Sequence, residues 1–545
     1  MPLSVDSRHK ARAAPDPSGA GGAPRLSGKQ LLLTMTGVML AMFLAAVSQI
    51  NIATAMPRIV VDLGGFDRYT WASTAYLVAS TIAIPISGRL ADIFGRRIFF
   101  VLGLAIFMIG SIPAGLSQSM NQLIAARAVM GVGGGILMAT SFAAVADLFP
   151  PGERGRYIGL IGLVYGLSSV IGPPLAGFIT DALSWNWVFL MNVPAGIPVL
   201  WLLARTFPRI APKDEKQRLD YPGMVALALA VSSLMIALSR GGIHEQWGSL
   251  QVGGLLGFGL AMAVIFLVVE SKSDSPIMPL EIYRNRAVAI AMTVTVLTGF
   301  GLHSTALFTP LFFQGVLGST ATGSGGLLTP MMLGMVVGAI VSGRRLSRAG
   351  GGYRGQALIS SGAMAVGIYL ISTMNENTSF ARAVAYVSLT GLGLGGAMAA
   401  CNLAVQNSVA FRLVGSATSA LQFSRLFSGT LGLAVLGVVL TASFSSRLEE
   451  TVSESVRASL AQGQLEAIRQ NPRVLVDPSA IDALRAGFAE RGLDGVQMAD
   501  TFLGALSSAL AGGLGDAFTL SAVVVGLSFV AALFLRVEKS RGYRP

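Results

Sequence analysis

Residues 71–97 read WASTAYLVASTIAIPISGRLADIFGRR, and this stretch decides the fold class. A helix that crosses a bilayer needs roughly 20 mostly apolar residues, and the first part of the stretch has that length. A short turn with a basic pair follows, and a second long apolar run begins at Ile98. Two such runs joined by a short basic turn are typical of consecutive membrane-spanning helices.

The same alternation of apolar run and polar turn continues along the whole chain. The 545 residues are 53% hydrophobic and only 12% charged, too little charge to cover a soluble protein of this length. A single cysteine, Cys401, excludes an internal disulfide framework. Fourteen predicted spans begin near Leu31, Trp71, Ile98, Leu123, Tyr157, Trp187, Tyr221, Leu250, Ala287, Gly325, Gly355, Ala383, Ser416 and Asp516.

The basic residues orient these spans. With the N-terminus inside, the predicted cytosolic segments hold 27 of the 39 Lys and Arg. The external segments hold 10, six of them at 444–515, and two lie within spans. By the positive-inside rule, we expect a multi-pass protein of the cytoplasmic membrane with both termini cytosolic. The net charge of +12 therefore reflects topology and not nucleic-acid binding, because no soluble domain collects the basic residues.

The spans divide into two sets of six around an inserted pair. A basic, proline-containing linker follows span six, and the segment at 444–515 is expected to be either a partly helical external cap or a disordered insertion. The expected organisation is a disordered cytosolic tail at 1–28, a six-helix bundle at 29–206, a linker with spans seven and eight at 207–286, spans nine to thirteen at 287–443, an external loop at 444–515, span fourteen at 516–537 and a cytosolic tail at 538–545.

A weak internal repeat supports this division. Gly88 and Gly95 after span two have the same spacing as Gly343 and Gly350 after span ten. Many transporters are built from two such related halves.

The turn after span two combines glycines with paired charges. Gly88 and Gly95 permit a tight turn, and Asp92 can pair with a basic side chain or a helix terminus. Arg96 and Arg97 can anchor at lipid headgroups. We expect these five residues to form a cytosolic gate, the alternative being a plain basic turn.

Spans four and five carry two further motifs. Arg127 lies inside span four, where an arginine costs roughly 2.5–3.5 kcal/mol on insertion scales. It should face a cavity or a partner, unless it only bonds neighbouring carbonyls. In span five, Gly172, Pro173 and Gly177 should bend the helix and allow close packing.

These motifs together resemble the major facilitator superfamily, and most closely its fourteen-helix drug/proton antiporters of the QacA/EmrB type. The gate resembles the loop between the family's second and third helices, Arg127 its fourth-helix motif for proton coupling, and 168–177 its antiporter motif. Residues 185–194, WNWVFLMNVP, resemble another segment of these multidrug efflux permeases. Asn186 stands where the family favours arginine.

The resemblance implies an all-α polytopic membrane protein with the major facilitator fold: two six-helix bundles plus two inserted helices, 14 spans in all. It implies secondary-active, proton-coupled export of amphipathic drugs, lipids or metabolites from a site between the bundles. No enzyme is expected, with no catalytic or metal site and no cofactor, since no P-loop or H-E-x-x-H motif is present. The expected partners are a small-molecule substrate, the lipid bilayer, protons and, in a two-membrane bacterium, a periplasmic adaptor protein.

One departure from the family affects the coupling mechanism. Span one usually carries an acid where this chain has Ser48, followed by Gln49 and Asn51. A serine does not titrate in the accessible range, so Arg127 lacks its expected acidic partner, which favours an anionic or polar substrate. His303 in span nine is the one mid-span group that titrates near neutral pH, the alternative being a histidine hydrogen-bonded in packing.

The remaining polar residues inside spans are candidates for the substrate cavity. They are Asn402 and Gln406 in span twelve and Gln422 and Arg425 in span thirteen. Polar groups in lipid are costly and should face the bundle interior, although some only join helices. Two other functions stay open: an uncoupled facilitator or exchanger for polar, anionic or lipid-like substrates, and a membrane sensor that kept the fold but does not transport.

Overall fold

The computed structural model describes residues 27–63, 68, 71–208, 219–240, 249–273, 275–317, 321–349, 352–410, 413–452, 478–489 and 493–536. Nearly all of these residues are helical. The predicted tails at 1–28 and 538–545 lie outside the described residues except for 27 and 28. The α-helices are α1 Gly28–Leu63, α2 Trp71–Phe94, α3 Arg96–Gly115, α4 Met120–Leu148, α5 Pro151–Ala182, α6 Asn186–Leu190, α7 Asn192–Thr206, α8 Tyr221–Arg240, α9 Leu250–Lys272, α10 Arg286–Gly315, α11 Ala321–Ala349, α12 Tyr353–Ser372, α13 Phe380–Ser408, α14 Val414–Thr451, α15 Pro478–Ala489 and α16 Leu493–Ala532.

Thirteen of the described helices are long and apolar enough to cross a membrane, with α6 and α7 counted as one. The remaining predicted span is α11, whose 29 residues end in a basic stretch that includes Arg344 and Arg345. It packs between α5 and α13. The order of helices along the chain therefore follows the order of the predicted spans.

The helices form two bundles. In the first, α4 packs against α2 and α3, and α1 packs against α5 and α7. In the second, α13 packs against α11 and α12, while α10, α14 and α16 pack against one another. The inserted helices α8 and α9 pack together; α8 touches α2 and α14, and most of α9 is exposed.

Glycines allow the helices to approach closely where they cross. On α13, a Cβ atom at Gly391 or Gly395 would overlap the carbonyl groups of Met331 and Met335 on α11. Small residues that let backbones approach are the usual means of packing helices in membranes. Many of the 66 glycines are explained by crossings of this kind.

The two ends of the bundles differ in charge. We call the end that carries Arg96, Arg154 and Arg344 the basic end, and the opposite end the far end. Helix α1 begins at the basic end, where Gln30 Nε2 donates to the carbonyl of Thr206 at 3.2 Å.

A glycine turn joins α2 to α3 at the basic end. Gly95 has φ of 93° and ψ of 139°, a region that favours glycine. In the second half of the chain, Gly350 lies outside the described residues, and the positive φ of 86° falls at Gly352, just before α12. Each of these two turns thus contains one glycine with a positive φ, while the predicted equivalence of Gly350 with Gly95 stays a prediction.

The structure shows helices within the predicted segment at 444–515, as in its partly helical alternative, and moves the start of span fourteen. Helix α14 continues to Thr451, α15 occupies part of the loop, and α16 begins at Leu493 instead of near 516. The reason is burial of apolar side chains: Phe444 and Leu448 of α14 pack in one cluster with Phe502 of α16. Residues 453–477 lie outside the described residues.

Candidate functional site

A narrow, partly open cavity lies between the two bundles. Its wall is mostly apolar, with one amide and three hydroxyl-bearing residues; nine of the lining residues belong to the first bundle and one to the second. The lining residues are Met42, Ala45, Ala46 and Gln49 of α1, Tyr76 and Ser80 of α2, Gly134 and Met138 of α4, Tyr165 of α5 and Leu426 of α14.

An apolar cluster closes the cavity on its basic side. Ile84 of α2 and Ala139 of α4 pack against Leu426 of α14, with Met138 and Phe423 beside them. This cluster comes from both bundles. It separates the cavity from the charged residues at the basic end.

The Asp92 carboxylate joins the bundles below this cluster. It accepts hydrogen bonds from Arg96 Nη2 at 2.9 Å and, across the interface, from the backbone N–H of Ser416 at 2.9 Å and the Ser416 hydroxyl at 3.2 Å. Ser416 lies in the first turn of α14, where the positive end of the helix dipole favours a carboxylate. Arg96 also pairs with Asp147 of α4.

Two further contacts join the bundles at this end. Arg154 Nη1 of α5 donates to Asn407 Oδ1 of α13 at 3.0 Å, and Asn407 Nδ2 donates to the Tyr353 hydroxyl at 2.7 Å. The backbones of Gly155 and Gly343 touch, so that a Cβ atom on either would overlap the other residue. We call Asp92, Arg96, Arg154, Asn407 and Ser416, together with this glycine contact, the basic-end gate.

The five predicted gate residues lie at the basic end, but they make different kinds of contact. Gly88 packs against Ser419 of α14, where a Cβ atom would not fit. Arg97 donates to the carbonyl of Ala204 and so stays within the first bundle. Among the five predicted residues, Asp92 is therefore the one that makes hydrogen bonds across the interface in the described part of the chain.

Arg127 lies fully buried beside the cavity. Its Nη1 donates to the carbonyl of Ser48 at 3.2 Å, its Nε donates to the carbonyl of Ala72 at 3.3 Å, and its Cζ lies 4.4 Å from the centroid of the Tyr76 ring. Its Nη2 has no hydrogen-bond partner within the described residues. The guanidinium thus contacts carbonyl groups and a ring, and not an acid.

The polar residues of α1 divide between the cavity and the packing of α5. Gln49 lines the cavity, whereas the buried Ser48 hydroxyl has no described partner. With its amide nitrogen turned toward α5, Asn51 donates to the carbonyl of Gly172 at 2.8 Å. Gly172 is thus a point of close approach between α1 and α5.

The rest of the predicted α5 motif lies beside this contact. Pro173 is inside α5, and Gly177 faces Thr54 of α1. The motif therefore packs α5 against α1 within the first bundle.

The predicted cavity residues of α13 and α14 lie in different surroundings in the structure. Arg425 donates to Gln422 Oε1 and lies within electrostatic reach of Tyr165 and Cys401. Gln406 Nε2 donates to the carbonyl of Phe142 at 3.3 Å, nearer the basic end. Asn402 bonds the carbonyl of Met398 on its own helix at 2.8 Å.

His303 lies in α10, and its side chain is outside the described residues. In the part of the chain that the structure describes, no cluster of His, Cys, Asp and Glu could hold a metal ion.

Sequence reasoning missed both tyrosines of the cavity and three of the five gate residues, Arg154, Asn407 and Ser416. Tyr76 and Tyr165 each place a hydroxyl group inside a run of small and apolar residues, and this pattern could have identified them. Arg154 and Asn407 gave no signal of pairing, because 253 positions separate them.

A family model described as Major Facilitator Superfamily matches residues 38–433. The chain belongs to the Major Facilitator Superfamily. This major facilitator is 36% identical over 499 residues to Multidrug resistance protein 3 of Bacillus subtilis (strain 168), with 92% of this chain and 94% of the relative covered. It is 35% identical over 524 residues to Multidrug transporter protein MdtP of the same organism, with 94% of each covered.

A fungal relative and two solved structures are also similar to this chain. The MFS-type efflux pump LUC4 of Fusarium sp is 30% identical over 455 residues, covering 82% of this chain and 80% of the relative. The human organic anion transporter MFSD10 (TETRAN) has a TM-score of 0.59 at 13% identity, covering 92% of this chain and 99% of the other. The proton:xylose symporter XylE has a TM-score of 0.55 at 11% identity, covering 91% and 95%. At these identities the structures show the fold alone, and the predicted all-α membrane fold is confirmed.

Proposed function

We propose that this major facilitator is a secondary-active exporter of amphipathic small molecules. The class is supported by the relatives named as multidrug transporters and as an efflux pump. A mostly apolar cavity with a few polar groups suits amphipathic ligands. Transport, and not chemistry on the substrate, is then the activity of the chain.

The observation that carries the proposal is the cavity between two bundles whose basic end is closed. Transporters of this architecture bind substrate near the midplane and rock one bundle against the other. The basic-end gate consists of a few hydrogen bonds, one helix terminus and one glycine contact, which such a motion can break and remake. The structure then corresponds to the conformer that releases substrate at the far end.

The orientation follows from the charges. We infer that the basic end and both termini face the cytosol and that the protein lies in the cytoplasmic membrane, because basic residues are retained on the cytosolic side. Movement from the basic end to the far end is then export.

The proton gradient is the proposed driving force, as in the antiporters that the motifs resemble. Within the described residues, the cavity lining contains no carboxylate, and Ser48 stands at the family's usual acidic position. This observation favours a second candidate, an uncoupled facilitator or exchanger.

Flux through the purified protein in liposomes separates these functions. Fluorescent amphipathic substrates are loaded on one side, with and without an imposed pH gradient, and empty liposomes serve as the control. Export predicts accumulation against a concentration gradient that a protonophore abolishes. Equilibration or counterflow without accumulation would establish the facilitator or exchanger, and the absence of any flux would contradict both.

A further inference from the structure

Two arginines lie in membrane-spanning helices on opposite sides of the cavity. Arg127 of α4 is fully buried, and Arg425 of α14 is 8% exposed. A buried charge within a membrane span is costly unless an opposite charge or a set of hydrogen bonds compensates it. Each guanidinium should therefore have an acid or a bound anion nearby.

Neither arginine has an acidic partner among the described residues. Arg127 reaches two carbonyl groups and the Tyr76 ring, and Arg425 reaches the amide oxygen of Gln422. The ion pairs found in the described residues involve other arginines, at the two ends of the protein. Two positive charges, one from each bundle, are thus left without a negative charge.

The Arg127 guanidinium lies directly behind the cavity wall, and Arg425 precedes Leu426, the lining residue from the second bundle. The Tyr76 ring, 4.4 Å from Arg127 Cζ, lines the cavity. Tyr165 lines the cavity too. Charges interact more strongly in a low-dielectric interior than in water, so both arginines make the potential in the cavity positive.

The wall also offers hydrogen-bond donors. The side-chain amide of Gln49 and the hydroxyl-bearing Tyr165 line the cavity, and the buried Nη2 of Arg127 has no hydrogen-bond partner among the described residues. The remaining lining is apolar, with Met42 and Leu426 among its larger side chains. Donors and positive charge beside an apolar wall match a molecule with an apolar body and an anionic group.

We propose that this cavity binds amphipathic organic anions, with an apolar body and a single carboxylate or sulfonate, and that Arg127 and Arg425 determine this specificity. The proposal rests on the transport function proposed above and names its substrate class. The anion supplies the negative charge that both arginines lack.

The test uses three ligands with the same aromatic body: 1-naphthaleneacetate, the neutral 1-naphthaleneacetamide and the cation 1-naphthylmethylammonium. Binding of each radiolabelled ligand to the full-length protein in nanodiscs is measured for the wild type, Arg127→Gln and Arg425→Gln. Arg447→Gln is the matched control, because Arg447 lies half exposed at the far end.

The anion should bind most tightly to the wild type. Each cavity variant should weaken anion binding by about tenfold, the order expected when one charge that acts through the cavity wall at low dielectric is removed, and should change binding of the amide by less than about threefold. Cation binding should rise in both variants, because a like charge is removed. Retained binding of the amide shows that the variants are folded, and Arg127→Lys should recover part of the anion affinity.

Equal affinity for the three ligands, or unchanged anion binding in both cavity variants, would overturn the anion site. The same ligands are then tested for flux in liposomes. If the amide or the cation is transported but the anion is not, the proposed export function stands and the proposed anion specificity is wrong. Gradient-driven flux of the anion that both cavity variants lose would support both proposals.

Discussion

The basic end and the far end of this major facilitator hold the two bundles together in different ways. At the basic end, Asp92 bonds Ser416, Arg154 bonds Asn407, and Gly155 touches Gly343. On the far side of the cavity, the hydrogen bonds from Asn186 to the carbonyl of Gly115 and from Ser507 to the carbonyl of Val316 each lie within one bundle. The far end instead has contacts within one bundle, such as the bonds between Trp185 and Asp62 and the pairing of α14 with α16.

We infer from this difference that the basic end controls access to the cavity in the conformer described. A closed basic end needs polar contacts that are specific in geometry and few in number, because the same contacts must open during each cycle. The apolar cluster of Ile84, Ala139 and Leu426 excludes water above them. Breaking the basic-end contacts one at a time should therefore open that end in graded steps.

Loss of the Asp92 carboxylate should have the largest effect on opening of the basic end. Asp92 accepts two hydrogen bonds from Ser416 across the interface, and a hydrogen bond to a charged group contributes about 1.5–3 kcal/mol, whereas its ion pair with Arg96 lies within the first bundle and does not change on opening. The ratio of open to closed basic ends should rise more than about hundredfold. The reporter is Ser419→Cys with Cys401→Ala, and its labelling by a membrane-impermeant maleimide added at the basic end should accelerate. Asp516→Ala, at the far end, is the control; equal acceleration in both variants would remove Asp92 from the gate.

A methyl group at the glycine contact should have the next largest effect. Gly343→Ala places a Cβ atom against the Gly155 backbone, and overpacking costs about 1–3 kcal/mol. The basic end should open by about tenfold or more in the same labelling assay. Gly355→Ala is the matched control, because no atom lies within 4 Å of its added Cβ. Unchanged labelling in Gly343→Ala would mean that the two backbones do not touch when the end is closed.

Removal of the Asn407 side chain should have a smaller effect. A hydrogen bond to a charged group contributes about 1.5–3 kcal/mol, and Asn407→Ala should cost the lower value because Arg154 also donates to the carbonyls of Phe149 and Ala146. Labelling should rise by about tenfold. The double variant of Asn407→Ala and Arg154→Ala should increase labelling by less than the sum of the two single effects, because the two side chains are coupled. Strictly additive effects would show that the two residues do not interact.

Loss of the far-end ion pair should have the smallest effect on transport and on opening of the basic end. Arg447 Nη2 lies 2.9 Å from Asp516 Oδ2, and the two side chains are 46% and 43% exposed. Exposed pairs contribute less than about 1 kcal/mol. Arg447→Gln should leave both transport and labelling at the basic end unchanged, with a small decrease of the Tm. A loss of transport as large as that of Asp92→Ala would contradict the difference between the two ends.

The fold was predictable because apolar run length and basic turns are local signals. The glycine turn at Gly95 and the close approach at Gly172 followed from residue types alone. The extent of α16 was not predictable in the same way, since residues 493–515 become helical by packing Phe502 and Leu506 against α14. At the site, Asp92 and Arg127 were identified from their neighbours in sequence. Their partners Ser416 and Tyr76 depend on how helices from distant positions meet.

The distance between the bundles at each end tests the account most directly. Spin labels at Ile98 and Arg348 report the basic end, and labels at Leu183 and Phe380 report the far end; all four positions are exposed. Double electron–electron resonance on the full-length protein in nanodiscs should show the basic-end pair close and the far-end pair apart, with the two distances changing in opposite directions during substrate-driven turnover. A far-end pair that is closed while the basic-end pair is apart in the resting protein, or distances that stay fixed during transport, would contradict the account.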